Sequence, residues 1–141
     1  MDLSLVKNEE TLDDLQLNGI RVIQKKEGFR FGVDAVLLAN FANVKKGFNV
    51  IDLCSGTGIV PFIVAGKTEA SNITGIEIQE EMVEMAERSV KFNKLEERVK
   101  FMCEDLKNIE ALKKLPKADV VTVNPPYKLA NSGIEIGRAH V

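Results

Sequence analysis

At 141 residues the chain is long enough for one domain with one core, and not for two. An apolar fraction of 45% beside 28% charged residues excludes wholesale disorder, and no apolar run approaches the ~20 residues that a membrane-spanning helix needs. The net charge of −2 gives none of the overall basic signature that many nucleic-acid binders carry.

The chain opens Met1-Asp2-Leu3-Ser4, with an early acidic group of Glu9, Glu10, Asp13 and Asp14. A secretory leader would start basic and continue apolar, so a cytoplasmic protein is expected. Cys54 and Cys103 suit a reducing compartment and lack metal-site spacing, so no metal and no membrane partner are expected. Short basic clusters (Lys25, Lys26 and Arg30; Lys45 and Lys46) read as solvated surface.

A lead segment runs over 1–46. Gly19-Ile20-Arg21-Val22-Ile23-Gln24 and Phe29-Arg30-Phe31 are β-prone runs around a turn with Gly28, which predicts a hairpin. Asp34 is placed to cap a helix from about Ala35, with Val36, Leu37, Leu38 and Phe41 facing inward.

From residue 47 strands and helices alternate. Asn49–Leu53 is a short apolar run suited to a buried parallel strand, and Cys54-Ser55-Gly56-Thr57-Gly58 is a glycine turn after it. Ile59–Lys67 reads as a helix, Asn72–Ile76 as a strand ending at Glu77, and Glu80–Asn93 as an amphipathic helix. Its expected inner face is Met82, Met85, Ala86, Ser89, Val90 and Asn93. A strand over Val99–Cys103, a short helix over Leu106–Leu115 and a strand over Ala118–Val123 follow. This order predicts an α/β fold, a Rossmann-like doubly wound parallel sheet with right-handed crossovers.

Gly56 and Gly58 follow a strand and open a helix. A Cβ at either would block a ligand packed on the turn, and the helix N-terminus offers free N–H groups. Glu77 ends the next strand, where a carboxylate accepts ribose hydroxyls, and Asp105 sits just past the third strand, toward an adenine edge. A dinucleotide site favours a small residue at position 61, which is Pro61 here, and a phosphate loop needs Gly-Lys-Ser/Thr, which is absent. An S-adenosylmethionine site tolerates this turn, and Asp52 suits a cationic cofactor. A bare tight turn explains the glycines as well.

Asn124-Pro125-Pro126-Tyr127 follows the fourth strand. Ligands of open α/β sheets bind beyond the carboxyl ends of the strands, so this tetrapeptide and the glycine turn share one crevice. Consecutive prolines fix the direction of the carbonyl near Pro125, and Asn124 adds a second acceptor for one NH₂ group. Tyr127 offers a face for a planar group. Two hydrogen bonds accepted from a delocalised amine favour a pyramidal nitrogen with an available lone pair, and methyl transfer then needs mainly positioning and electrostatics.

The run Val50 to Gly58, then Gly75-Ile76-Glu77-Ile78-Gln79, Glu104-Asp105 and Asn124-Pro125-Pro126-Tyr127 resembles the class I amino-methyltransferases. The lead Phe29-Arg30-Phe31-Gly32-Val33-Asp34-Ala35-Val36-Leu37-Leu38 and the stretch Glu87 to Asn93 are similar to the bacterial tRNA adenine-N6 methyltransferases that modify a valine tRNA beside its anticodon. The resemblance covers roughly Leu12 to Ile134. It implies an enzyme that takes S-adenosylmethionine as cofactor and tRNA as partner. By it, Asp52, Gly56 and Gly58 would hold the methionine end of the cofactor, with Phe31 and Gly32 nearby. Glu77 would hold the ribose and Asp105 the adenine amine. Asn124, Pro125 and Tyr127 would hold an unstacked target base. The lead 1–46 would pack on the cofactor site, and 47–134 would form the first half of the methyltransferase domain.

The family continues past the fourth strand with three more strands, so the fold is expected to be incomplete in its C-terminal half. Glu135-Ile136-Gly137-Arg138-Ala139-His140-Val141 back-translates to GAG ATC GGA AGA GCA CAC GTC as one choice of codons, and that string contains the start of a common sequencing adapter. Residues 135–141 are therefore expected to be a non-native tail. In such a fragment Val120, Val121 and Val123 would form an apolar edge, and the chain alone is expected to be unstable, to bind cofactor weakly and not to methylate. The rival substrates are a protein glutamine amide, although that family has a longer lead, and DNA adenine. A different class of reading is an adenosine-binding module without chemistry.

Overall fold

The computed structural model describes residues 2–27 and 33–125. The expected strand Phe29–Phe31, the site residues Phe31, Gly32 and Tyr127, and the tail 135–141 lie outside the described residues.

After a single 3₁₀ turn at Leu3–Leu5, β1 (Glu10–Asp14) pairs antiparallel with β2 (Arg21–Lys25), with Leu12 opposite Ile23. The described partner of β2 is thus the upstream acidic segment, read above as part of the acidic N-terminus. Glu-Thr-Leu-Asp-Asp is a poor strand former, and tertiary contacts override propensity here. Glu10 is buried against Arg88, which fixes the start of β1. The connection uses left-handed backbone at Gln16, Asn18 and Gly19. Its Leu17 and Ile20 lie over Gly66, where an added Cβ would come 3.0 Å from Leu17 and 3.1 Å from Ile20.

The helix α1 (Val33–Phe41) takes Asp34 into its first turn. It buries Ala35 and Ala39, one turn apart, while Val36 and Leu38 are half-buried. Leu37 and Phe41 face outward, at 45% and 82% exposure, contrary to the inward face expected for them. The helix is apolar all round, so hydrophobicity could not select its inner side; the small residues did, by letting α1 approach α2 (Ile59–Lys67) closely.

Four parallel strands form the main sheet: β3 (Asn49–Leu53), β4 (Asn72–Glu77), β5 (Val99–Cys103) and β6 (Val120–Val123), in the order β5-β4-β3-β6. In register, Val50 stands beside Ile73 and Val120, and Ile73 beside Val99. This row is sealed under helices; Val50, Ile73 and Val99 are buried. The helix α2 is buried from Ile59 through Ala65, as an interior helix between α1 and the sheet. The helix α3 (Glu80–Asn93) packs on β5 with one side and on β2 with the other. That double contact widens its buried face to include Val83 and Phe92, while Met82 and Asn93 stay half-buried.

The last helix is shorter than its apolar pattern suggests. Asp105 Oδ1 accepts from Lys107 N, and Asn108 Oδ1 accepts from Ala111 N, so turn and cap chemistry delays α4 to Ile109–Lys113. Among the described residues β6 pairs with β3 alone and forms the sheet edge, with Val121 and Val123 exposed. No helix among the described residues is long and apolar enough to cross a membrane.

Candidate functional site

The strand order sets the site. The chain steps outward from β3 to β4 to β5, then returns to the far side of β3 as β6. The crevice at such a reversal, beyond the carboxyl ends of the strands, is where open α/β sheets bind ligands. Four features line up along it: Asp105 after β5, Glu77 at the end of β4, the glycine turn after β3, and Asn124-Pro125 after β6.

The turn is held by backbone contacts. Ser55 N donates to Ile76 O at 3.0 Å, Gly58 N to Ser55 O at 2.9 Å, and Phe62 N to Gly58 O at 2.9 Å. Cys54, Gly56 and Gly58 all have positive φ (60°, 57° and 99°). The two expected glycines have different reasons. An added Cβ at Gly56 would meet none of the described residues within 4 Å, so none of them covers it. At Gly58 it would lie 2.6 Å from Phe101 and 2.8 Å from Phe62, so that glycine makes room for the protein's own rings. Those rings contact each other at 5.6 Å between centroids.

Glu77 is buried, and its carboxylate spans the turn. Oε1 accepts from Gly56 N at 2.8 Å and Oε2 from Gln79 N at 3.0 Å. Each oxygen keeps lone-pair capacity for a further donor. Asp105 is half-buried at the start of the α4 turn, Asn124 is half-buried, and Pro125 is buried.

Asp52 does not open onto the crevice in the way its neighbours do. It is 1% exposed and accepts from Thr122 Oγ1 at 2.6 Å, tying β3 to β6 at paired positions. Burial pushes its carboxyl up to about 7, against the hydrogen bond from Thr122; the nearby Glu77 charge adds to the rise. The Cys54 thiol is pushed up as well, mainly by burial and then by Glu77 and Asp52.

The motif reading assigned no role to three residues at the turn, although Gly75 stands in one of its runs. Thr122 is the polar residue in Val-Val-Thr-Val, and its place on an otherwise apolar strand was the available signal. Gly75 lies beneath Phe101, where an added Cβ would come within 2.5 Å of the ring. Gln24 on β2 reaches Thr57 in the turn, its Oε1 accepting from Thr57 Oγ1 at 2.8 Å. A second cleft of about 610 Å³ opens between the hairpin and α3. None of the expected site residues lines it; its charged side chains include Arg88, Glu10, Lys25 and Glu81, which pair with one another.

A family model described as a methyltransferase domain matches residues 44–134. The tRNA1(Val) (adenine(37)-N6)-methyltransferase of Flavobacteriaceae bacterium (strain 3519-10) is 35% identical over 106 residues, which span 75% of this chain and 45% of that protein. Its namesake from Tolumonas auensis is 26% identical over 105 residues, 74% of this chain and 43% of the relative. The chain thus spans less than half the length of these curated relatives. Among solved structures, the Pyrococcus abyssi tRNA (uracil-54, C5)-methyltransferase in complex with S-adenosyl-L-homocysteine is similar, with a TM-score of 0.62 at 22% identity over 84% of this chain and 29% of that one. Methanocaldococcus jannaschii Trm5 in complex with adenosine has a TM-score of 0.63 at 21% identity, over 95% of this chain and 39% of that one. At these identities the structures show a shared fold.

Proposed function

The chain belongs to the methyltransferase-domain family, and from that premise we propose that its protein transfers a methyl group from S-adenosylmethionine to an exocyclic amine, adenine N6 in tRNA. The observation that carries the proposal is the alignment of Glu77, the open glycine turn and Asn124-Pro125 along one crevice. The residues fit the cofactor: no described residue fills the space above Gly56, and Glu77 stands beside it with acceptor capacity left. In this reading Glu77 accepts the ribose hydroxyls and Asp105 takes the adenine amine. Gly56 and Gly58 shape the surface under the methionine end. Asp52, buried behind them with its carboxyl raised to about 7 and bonded to Thr122, backs this surface rather than touching the ligand. Phe31 and Gly32 complete this set by resemblance.

When bound, the cofactor supplies an electrophilic sulfonium methyl. The chain's own residues prepare the nucleophile. The Asn124 side-chain carbonyl and the main-chain carbonyl near Pro125 accept from the two N–H bonds of the target amine. This draws the nitrogen toward a pyramidal form with its lone pair free. Tyr127 supplies the stacking face for the base. The curated relatives' names favour tRNA over a glutamine amide, and tRNA brings with it a cytoplasmic setting.

The test is tritiated methyl incorporation by the protein at the full length its gene encodes, into unmodified tRNA and, in parallel, into release-factor protein. Incorporation into tRNA is expected. In Asn124→Ala, cofactor binding should survive while transfer falls roughly a hundredfold or more. Transfer at the original rate in that variant would overturn the assignment.

A further inference from the structure

The end of the sheet opposite the crevice carries a surface that the proposed reaction does not use. There α1 and α2 both finish, and the chain turns into β3. Phe41, the last residue of α1, is 82% exposed, and Leu37, one turn before it, is exposed as well. Three lysines stand around that ring. Lys67, the last residue of α2, donates from Nζ to Asn40 Oδ1, which seats it beside Phe41. Lys45 and Lys46 lie in the turn closed by Phe48 N donating to Lys45 O at 3.1 Å. Gly47 N donates to Glu69 O at 3.0 Å, which ties that turn to the exit of α2. Lys45 and Lys46 are exposed and pair with no described carboxylate; one exposed carboxylate, Glu69, lies among the three lysines. Lys67 suits the negative end of α2, but Lys45 and Lys46 lie beyond α1 and answer no helix end. Beside the same two helices a cleft of about 240 Å³ opens, lined by Leu17, Val36 and Ile63, with Lys67 among its polar groups. The carboxylate there, Asp14, is taken up by Gln16 N and Arg21 Nε.

An exposed ring among lysines, beside an apolar cleft, is the combination that holds a nucleic-acid strand: lysines take phosphates and the ring takes a base. The crevice needs such help. Its rim carries Glu77, Glu80, Glu104 and Asp105 against Lys107, a set that suits a cationic cofactor and repels a phosphate backbone. The net charge of −2 supplies no general attraction to offset this. The five residues of β3 separate the two ends by about 17 Å, a distance that one short RNA stem covers. On the reading above, on which this inference rests, the RNA is the tRNA substrate. We propose that the outer ends of α1 and α2 form a second contact for it, with Lys45, Lys46 and Lys67 on phosphates and Phe41 stacked on an unpaired base. In sequence alone Lys45-Lys46 reads as solvated surface; the fold sets the pair beside an exposed ring.

The test reads charge and stacking separately. Binding of the full-length protein to unmodified tRNA is measured by fluorescence anisotropy over a range of salt concentrations, with calorimetric titration of S-adenosylhomocysteine and thermal melts alongside. In the double variant Lys45→Gln/Lys46→Gln, tRNA affinity should fall roughly tenfold, and the slope of log affinity against log salt should become shallower by about 1–2. Phe41→Ala should lower tRNA affinity roughly fivefold or more and leave that slope unchanged. Both variants should keep the melting temperature and the cofactor affinity, and raise KM for tRNA without lowering kcat. Lys91→Gln, at an exposed position of α3, should change none of these. An unchanged salt slope in the double variant, an equal loss in Lys91→Gln, or unchanged tRNA affinity in Phe41→Ala would overturn the proposal. Loss of self-association in sedimentation of Phe41→Ala, with tRNA binding intact, would overturn it too and give the face to a second copy of this chain. Failure of the unsubstituted protein to bind or methylate tRNA would instead overturn the substrate reading beneath it.

Discussion

Residues 10–25 and residues 49–123 are held by different physics. The parallel sheet is bound by its own ladder and by a sealed row of Val50, Ile73 and Val99, contacts between regular elements. The hairpin buries Ile20 and Val22 in that same core, and its polar groups are bound by single side chains reaching across long sequence distances. Arg88 on α3 donates to both oxygens of Glu10, at 2.6 and 2.7 Å, and to Leu5 O. Ile23 N donates to Ser89 Oγ, and Arg21 N to Asn93 Oδ1. The sheet therefore tolerates the loss of one contact, whereas the hairpin depends on a few side chains of α3.

The largest effect should come from Arg88→Ala, which strands the buried Glu10 carboxylate and should destabilise by about 3–5 kcal/mol in denaturant unfolding. Hydrogen exchange should then rise first in 10–25 and leave 49–53 protected. Equal deprotection of both regions would erase the contrast.

A comparable effect of opposite sign is expected in the sheet. Asp52 titrates at about 7 instead of 3.8, so the fold favours its protonated form. Its stabilising contribution is complete below pH ~3.8 and disappears as pH rises through about 7, where a buried charge must form. The gap corresponds to about 4 kcal/mol at most. Asp52→Asn keeps an acceptor for Thr122 without the charge. It should raise the melting temperature at pH 8 and leave it nearly unchanged at pH 4. The hairpin behaves the other way. Glu10 and Glu84 are held below the usual carboxylate range, first by hydrogen bonds from Arg88. Their contribution is present above the ordinary value of 4.5 and is lost as pH falls through their lowered values.

Gly58→Ala should cost about 1–3 kcal/mol, because its positive φ and the Phe62 and Phe101 rings both oppose a Cβ. Lys25→Ala, which removes an exposed ion pair with Glu81, should change stability by less than about 1 kcal/mol. A larger loss there would mean that the hairpin's surface pairs matter as well as its buried one.

The same contrast governs what could be read in the sequence. The bounds of β3, α2, α3 and β5 follow from apolar runs, glycine turns and helical spacing, and all are local signals. β1 has no such signal: Glu10 becomes a strand residue because of Arg88, far along the chain. The crevice was legible because its residues sit at strand ends, and strand order follows from the alternation of elements. Asp52's partner Thr122 and Gly58's ring neighbours were not, because each depends on side chains brought together by packing.

The central claim is that the glycine turn and the end of β4 hold the cofactor. Its most direct test is hydrogen exchange of the full-length protein titrated with S-adenosylhomocysteine. New protection should appear at Thr57, Ile59 and Val60 and around Glu77, with little change at β1. Protection confined to the cleft around Arg88, or none anywhere, would contradict the account.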